Sequence, residues 1–226
     1  MNVLVTGSSR GLGRAIILEF AKNHYDVIIN YNKNKDKALT LKEELQKNSV
    51  NVKVIKADIS NEEEVKKMFE EISSLDILIN NAAIALDKDP LEKTGADFNK
   101  VIHTNLTGTF LVTKYAIEKM KEGSILNISS TNALDTYYPE SIDYDASKAG
   151  IISLTHNFSK YLTDIRVNCI CPDWIDTDMN KEMAEDYRQK IDFIKKEDLA
   201  KLIFKIATNK NINDQIIKVG AEDVRK

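Results

Sequence analysis

Short apolar runs alternate with stretches of helical period along the chain. The runs that read as strands fall at residues 2–6, 26–31, 51–57, 75–80, 123–129, 165–171 and 214–219. Between them, the spacing predicts helices over 12–23, 34–47, 61–73, 96–120, 143–162, 178–189 and 196–208. Strand and helix in turn predict an α/β architecture, a parallel sheet with helices on both faces. Ligands in such sheets lie beyond the carboxyl ends of the strands. Gly7, Asp58, Asn80, Ser130 and Pro172 all fall there. No linker, repeat or low-complexity segment interrupts the pattern, so one domain is expected. The polar stretches Lys33 to Lys37 and Asn209 to Asn213 read as solvated loops or helix starts.

Candidate chemistry begins at the first strand. Val3 to Val5 leads into Thr6-Gly7-Ser8-Ser9-Arg10-Gly11-Leu12-Gly13, then into an apolar-periodic stretch from Leu12 to Phe20. Three of the chain's 8 glycines lie in this turn. A strand, a glycine turn and a helix present backbone N–H groups and a positive dipole end to an anion. The plainer reading is an ordinary strand–helix loop. Further on, Tyr144 and Lys148 stand four residues apart, on one helix face. An ammonium beside a phenol favours the ionised phenol, so Lys148 is expected to lower the pKa of Tyr144. A phenol tuned that way passes protons near neutral pH. The same spacing also arises by chance on solvated helices. Asn127-Ile128-Ser129-Ser130 puts two hydroxyl donors at a strand end, where serine is common. Asn105 lies inside a predicted helix, which disfavours asparagine, and reads as solvent-facing or tertiary-bonded.

The turn departs from the general G-x-G-x-x-G fingerprint. Thr6-Gly7-x-x-x-Gly11-x-Gly13 followed by Tyr144 and Lys148 resembles the short-chain dehydrogenase/reductase family, over residues 1 to about 180. The resemblance implies a doubly wound Rossmann fold with a seven-stranded parallel sheet, as one oxidoreductase domain over 1–226. It implies a catalytic tetrad of Ser130, Tyr144, Lys148 and Asn105, with Ser130 lying 14 residues before Tyr144. In that family's mechanism, reduced nicotinamide gives hydride to a carbonyl carbon while the tyrosine protonates the oxygen. The serine orients the carbonyl, the lysine also bonds the nicotinamide ribose, and the asparagine holds a relay water. To the cofactor the resemblance assigns Gly7, Ser9, Arg10, Gly11, Leu12, Gly13, Asn32, Lys33, Asp58, Ile59, Asn81, Ala82, Pro172, Ile175 and Thr177, together with Tyr144 and Lys148. Asn80-Asn81-Ala82-Ala83 resembles the family's N-N-A-G. Asp58 matches an adenine-binding aspartate; its other reading is helix capping, for which Ser60 is the better cap.

The strand at 26–31 ends without the acid that usually bonds the ribose 2′-hydroxyl, while Arg10 and Lys33 stand nearby. A guanidinium can hold a 2′-phosphate with paired hydrogen bonds, so NADP(H) is expected over NAD(H). Two segments depart from the family. Asp173 replaces a glycine in Cys171-Pro172-Asp173-Trp174-Ile175-Asp176-Thr177, a position where positive φ and added charge are concerns. The substrate-lid region, 178–195, is short.

The nearest overall resemblance is to 3-oxoacyl-[acyl-carrier-protein] reductases. It implies a small carbonyl substrate on a thioester, with acyl carrier protein as a partner. A basic docking patch would draw on Lys114, Lys119, Lys121 and Lys160. Other ketones, sugars or polyols are the second reading, and a catalytically idle dinucleotide sensor is a third of another class. A homodimer or homotetramer is expected by analogy.

Composition narrows the remainder. With 226 residues, 42% hydrophobic, and a net charge of −3, the chain gives no case for nucleic acid or an anionic membrane. No apolar stretch is long enough to span a bilayer, and Met1 runs straight into a strand, so a cytoplasmic protein without a signal peptide is expected. Cys169 and Cys171 share one strand face and read as buried free thiols; with His24, His103 and His156 scattered, no metal is expected.

Overall fold

The computed structural model describes residues 1–177 and 185–224. Seven strands carry the fold: β1 (Asn2–Val5), β2 (Asp26–Tyr31), β3 (Val52–Lys56), β4 (Ile77–Asn80), β5 (Gly123–Ile128), β6 (Ile165–Pro172) and β7 (Ile216–Val219). They form one sheet in the order β3-β2-β1-β4-β5-β6-β7, and every pairing is parallel. The helices are α1 (Gly11–Lys22), α2 (Lys35–Leu45), α3 (Glu62–Glu70), α4 (Gly95–Ile102), α5 (Gly108–Ile117), α6 (Ile142–Tyr161), α7 (Glu185–Arg188), α8 (Lys196–Thr208) and α9 (Ala221–Val224).

Successive residues of a strand face opposite sides, and this divides the core. Val3 and Val5 join Ile16, Phe20, Leu41 and Ile203 under α1, α2 and α8. Leu4 faces the other way, among Val65, Phe69, Leu111 and Val112 of α3 and α5. A third small cluster sets Ile151 of α6 against Cys169 and Cys171 of β6. The doubly wound arrangement expected from the alternation is therefore present.

Three expectations change. The helix expected over 96–120 is broken: a π-helical turn, His103–Thr107, separates α4 from α5. Ser60 is not the cap of α3. Its hydroxyl and amide bond Asp58, and Asn61 accepts from the amides of Glu63 and Glu64 at 3.1 and 3.2 Å. The last strand starts at Ile216 because Asp214 takes a left-handed φ of 60°. The helix expected over 178–189 and the lid over 178–195 lie partly outside the described residues; α7 covers four of the rest.

Phe20 is fully buried and meets Tyr25 and Phe204 edge-on at 5.2 and 5.1 Å. Replacing it with alanine should cost about 3–5 kcal/mol. Urea unfolding should show a lower midpoint at unchanged m-value; a loss below about 1 kcal/mol would mean that the layer repacks freely.

Candidate active site

The glycine turn is held from both sides. Asn30, at the end of β2, accepts the Gly7 amide on Oδ1 at 3.1 Å and donates to Ala57 O at 3.1 Å. Its own N–H reaches Ser8 Oγ at 3.2 Å. Across the turn, Thr6 Oγ1 accepts the amides of Asn81 and Ala82, both at 3.0 Å. Asn81 Nδ2 returns a bond to Thr6 O at 2.9 Å. Gly13 has no room for a side chain: a Cβ would lie 2.6 Å from Asn81 Nδ2 and 2.7 Å from Gly7 O. Gly11 needs its φ of +57°, which side chains resist. The first intrahelical amide of α1 is Arg14, donating to Arg10 O at 3.1 Å. The amides before it precede the first helical bond, the orphan donors that an anion site uses.

A cleft beside the turn has a volume of about 500 Å³. Arg10, Arg14, Lys37 and Lys196 line it, against Asp36 and Asp176. Arg14 pairs with Glu44, and Asp176 with Arg188 at 2.7 Å. Ser9 and Thr177 also border the cleft, and Thr177 comes within 3.8 Å of where a Gly11 Cβ would be. Leu12 turns its side chain into the core. Lys33 is not among the cleft residues; it stands near Asp58. Burial raises the Asp58 pKa, but Ser60, Asn32 at 2.7 Å and the Lys33 charge together hold it below the usual range. Ile59 packs in the core, where a Gly108 Cβ would be 2.9 Å away. Arg14, Lys37 and Lys196 were not anticipated. Arg14 follows Arg10 by one helical turn, a legible signal; Lys196 arrives only through the packing of α8.

The second half of the site forms where β5 ends and α6 begins. Lys148 is 2% exposed and donates to Ile128 O at 2.7 Å. Its Nζ lies 5.3 Å from the centre of the Tyr144 ring. The expected depression of the Tyr144 pKa is not found. Burial pushes the phenol well above its ordinary value, against a hydrogen bond with Ser130, and the charges of Asp145 and Asp87 push the same way. Burial lowers Lys148 instead, to about 8, with the thiols of Cys169 and Cys171 opposing. Desolvation is the largest cause of both shifts, for the part-buried phenol as for the buried ammonium.

Ser130 Oγ donates to Asn132 Oδ1 at 3.0 Å, and Asn132 Nδ2 donates to Asp145 at 2.6 Å. Neither Asn132 nor Asp145 was anticipated, although Asn132 is two residues from the serine. Ser129 points away and donates to Lys148 O at 2.8 Å. Asn105 sits at the centre of the π turn, fully buried. Its Oδ1 accepts from Ile84 N at 2.9 Å; its Nδ2 donates to Ile84 O at 2.9 Å and Ser147 Oγ at 3.1 Å. The side chain is thus spent on the protein, so a relay water would have to use the main-chain carbonyl, which already accepts from Thr109 at 2.7 Å.

Asp173 replaces glycine without strain, since its φ is not positive. Its amide bonds Val219 O at 2.9 Å and its carboxylate caps Trp174 N at 2.9 Å. Pro172 closes β6, and Ile175 bridges to Ile194. Trp174 donates to Tyr138 OH at 3.3 Å, linking this segment to the loop before α6. Cys169 and Cys171 are buried free thiols with sulfurs 4.0 Å apart. Of the lysines expected in a docking patch, Lys114 pairs with Glu62 at 2.9 Å. No helix among the described residues is long and apolar enough to cross a membrane.

A family described as short chain dehydrogenase matches residues 1–188. The 3-oxoacyl-[acyl-carrier-protein] reductase FabG of Staphylococcus aureus is 35% identical over 200 residues, covering 84% of this chain and 80% of that protein. FabG of Aquifex aeolicus is 38% identical over 196 residues, covering 83% and 79%. Among solved structures, a dehydrogenase/reductase from Sinorhizobium meliloti superposes with a TM-score of 0.92 at 28% identity, covering 97% and 93% of the chains. A short chain dehydrogenase from Burkholderia cenocepacia, in complex with NADP, gives 0.91 at 26% identity, covering 97% and 96%.

Lys148 opposes folding while it is charged. Its pKa falls from 10.5 to about 8 on folding. Between those values the unfolded chain binds the extra proton, so stability rises with pH. From about pH 7 to about pH 9.5, the parent should gain about 2 kcal/mol relative to Lys148→Met in urea unfolding. A pH-independent difference would mean that the lysine titrates normally.

Proposed function

The chain belongs to the short-chain dehydrogenase family of oxidoreductases, and on that premise we propose that it uses NADP(H) to interconvert a ketone and an alcohol, with a 3-oxoacyl thioester as substrate. The observation that carries the reading is the convergence of Ser130, Tyr144 and Lys148 where β5 ends and α6 begins. Relatives named 3-oxoacyl-[acyl-carrier-protein] reductase support the thioester, with an acyl carrier protein as its bearer. The NADP complex of the Burkholderia protein supports the cofactor.

The residues present suit that cofactor. The tight turn around Gly13 lets a pyrophosphate approach the unspent amides of α1. Arg10 at the mouth of the glycine turn, with Arg14, Lys37 and Lys196 on the same cleft, favours an added 2′-phosphate over a bare hydroxyl. Asn32 and Asp58 stand ready for the adenosine, and Thr177 and the backbone of Ile175 for the nicotinamide. When bound, the nicotinamide supplies or takes up the hydride.

The chain's own residues handle the proton. Tyr144 is protonated at neutral pH, as any phenol is and more firmly here, and it gives that proton to the carbonyl oxygen. Ser130 leaves Asn132 to donate to the same oxygen, fixing its direction. Lys148, with a pKa of about 8, remains cationic at neutral pH. It holds the ribose and opposes the negative charge that forms on Tyr144 as the proton leaves. In this reading the chain is one catalytic domain. The stacked pair Phe110 and Phe158, with Phe110 40% exposed, offers α5 and α6 as a subunit contact for a dimer or tetramer.

With an acetoacetyl thioester, loss of NADPH absorbance should be rapid. Turnover only on other ketones would keep the oxidoreductase and remove the thioester. Tyr144→Phe should bind NADPH with the parental dissociation constant and lose activity by about 100- to 10,000-fold; unchanged turnover would refute the proton donor. Arg10→Ala should weaken NADPH binding about tenfold while leaving NADH binding unchanged. Equal losses for both would place Arg10 away from the 2′-phosphate.

A further inference from the structure

Lys93 and Asp143 form an ion pair at 2.6 Å, with side chains 3% and 0% exposed. The two residues lie 50 positions apart, and neither has a role in the chemistry above. Lys93 Nζ spends all its donors: on Asp143 Oδ1 at 2.6 Å, Leu86 O at 2.8 Å and Glu140 O at 2.9 Å. One ammonium therefore ties the loop after β4 to the approach to α6 and to its first turn.

The same carboxylate oxygen of Asp143 accepts the backbone N–H of Tyr144 at 2.9 Å. On the other side of that residue, Ser147 Oγ donates to Tyr144 O at 2.7 Å. Ser147 is in turn held by Asn105, which also clamps both backbone groups of Ile84. The proton donor's main chain is thus gripped at both ends by two relays. Asn105 and Ser147 act on its carbonyl; Lys93 and Asp143 act on its amide. Both relays anchor the loop of residues 84–93 by its opposite ends.

Stability is a weak account of the second relay. An apolar pair of similar volume commonly matches a buried ion pair or exceeds it. Asp143 even keeps one buried oxygen without a partner. A charged hydrogen bond does fix direction as well as distance. Small displacements of a reacting group cost far more in rate than in stability.

We propose that Lys93 and Asp143 are positioning residues that fix the Tyr144 hydroxyl against the substrate carbonyl by holding the first turn of α6 to the loop of residues 84–93. This rests on Tyr144 being the proton donor.

The test is Lys93→Met/Asp143→Leu, which removes both charges together at similar volume. The folded double variant should melt lower, since the Tyr144 amide and the carbonyls of Leu86 and Glu140 lose their partners, and should keep the parental NADPH dissociation constant. Its kcat with an acetoacetyl thioester should fall at least about tenfold. Amide hydrogen exchange over residues 142–148 should quicken, with exchange in β5 unchanged. Parental kcat and parental exchange in the folded double variant would overturn the proposal. If that variant does not fold, Asp143→Asn decides, because it keeps an acceptor for the Tyr144 amide but weakens the pair. A loss of several-fold in kcat at unchanged NADPH affinity supports positioning, and parental kcat overturns it. Lys93→Arg keeps the charge and should retain most of the activity; a loss as deep as that of the double variant counts against the proposal. Tyr144→Phe separates the two failures: if it stays active, the proton-donor reading falls, and the exchange rates alone judge the grip on α6.

Discussion

Strands β1 and β4 lie side by side, yet the chain leaves them toward opposite faces of the sheet. Thr6 N still bonds Ile79 O at 3.1 Å, the last link before the two connections part. Beyond it α1 goes to one layer and the helices after β4 to the other. Divergence of that kind marks the crevice where ligands bind in such sheets, and the rest of the site is arranged around its two lips. Thr6 stands at the fork and serves both, with its amide on one strand and its hydroxyl on the loop leaving the other. Asn30 steadies the glycine turn from the next strand out. The second lip, built from the ends of β5 and the start of α6, carries the proton chemistry.

Around that crevice the interior is unusually polar. Asn80, Asn127 and Thr155 form a buried chain across β4, β5 and α6, with contacts of 2.8 and 2.9 Å. Lys148, Asn105 and Asp143 lie in the same region, all nearly inaccessible. Most of their hydrogen bonds are met, as burial demands, with Asn80 Oδ1 and Asp143 Oδ2 the exceptions. They are held between two layers of aliphatic and aromatic side chains that contain few polar atoms. The apolar layers stabilise the fold, and the polar seam between them sets direction, so that donors and acceptors meet a ligand in one arrangement.

Much of this was legible in the chain. A parallel sheet covered on both faces makes its strands continuous apolar runs, and all seven are visible. The glycine spacing and the Tyr144–Lys148 interval are local features that survive in one dimension. What escaped depends on distance or burial. The charge argument at Tyr144 reversed because burial outweighs the neighbouring ammonium, and burial does not appear in a residue string. Asp173 raised a concern about φ that only the backbone could remove. Lys196 joins Arg10 at one cleft, and Lys93 meets Asp143, through the winding of the chain, with no periodic signal to announce either. Asn132 was overlooked although it neighbours Ser130, because a hydroxyl's acceptor is a matter of geometry.

The π turn at His103–Thr107 has one more consequence. A π-helical turn is in effect an α-helix with one residue inserted. Everything after it is rotated by about 100° relative to an uninterrupted helix. Asn105 therefore faces the loop at Ile84, while Leu111, Val112 and Ala116 of α5 still face the sheet. Deleting any one residue of the turn would make the helix regular and harm it twice. The asparagine and the apolar stripe could no longer both point correctly. The length of this segment is therefore as constrained as the identity of its asparagine.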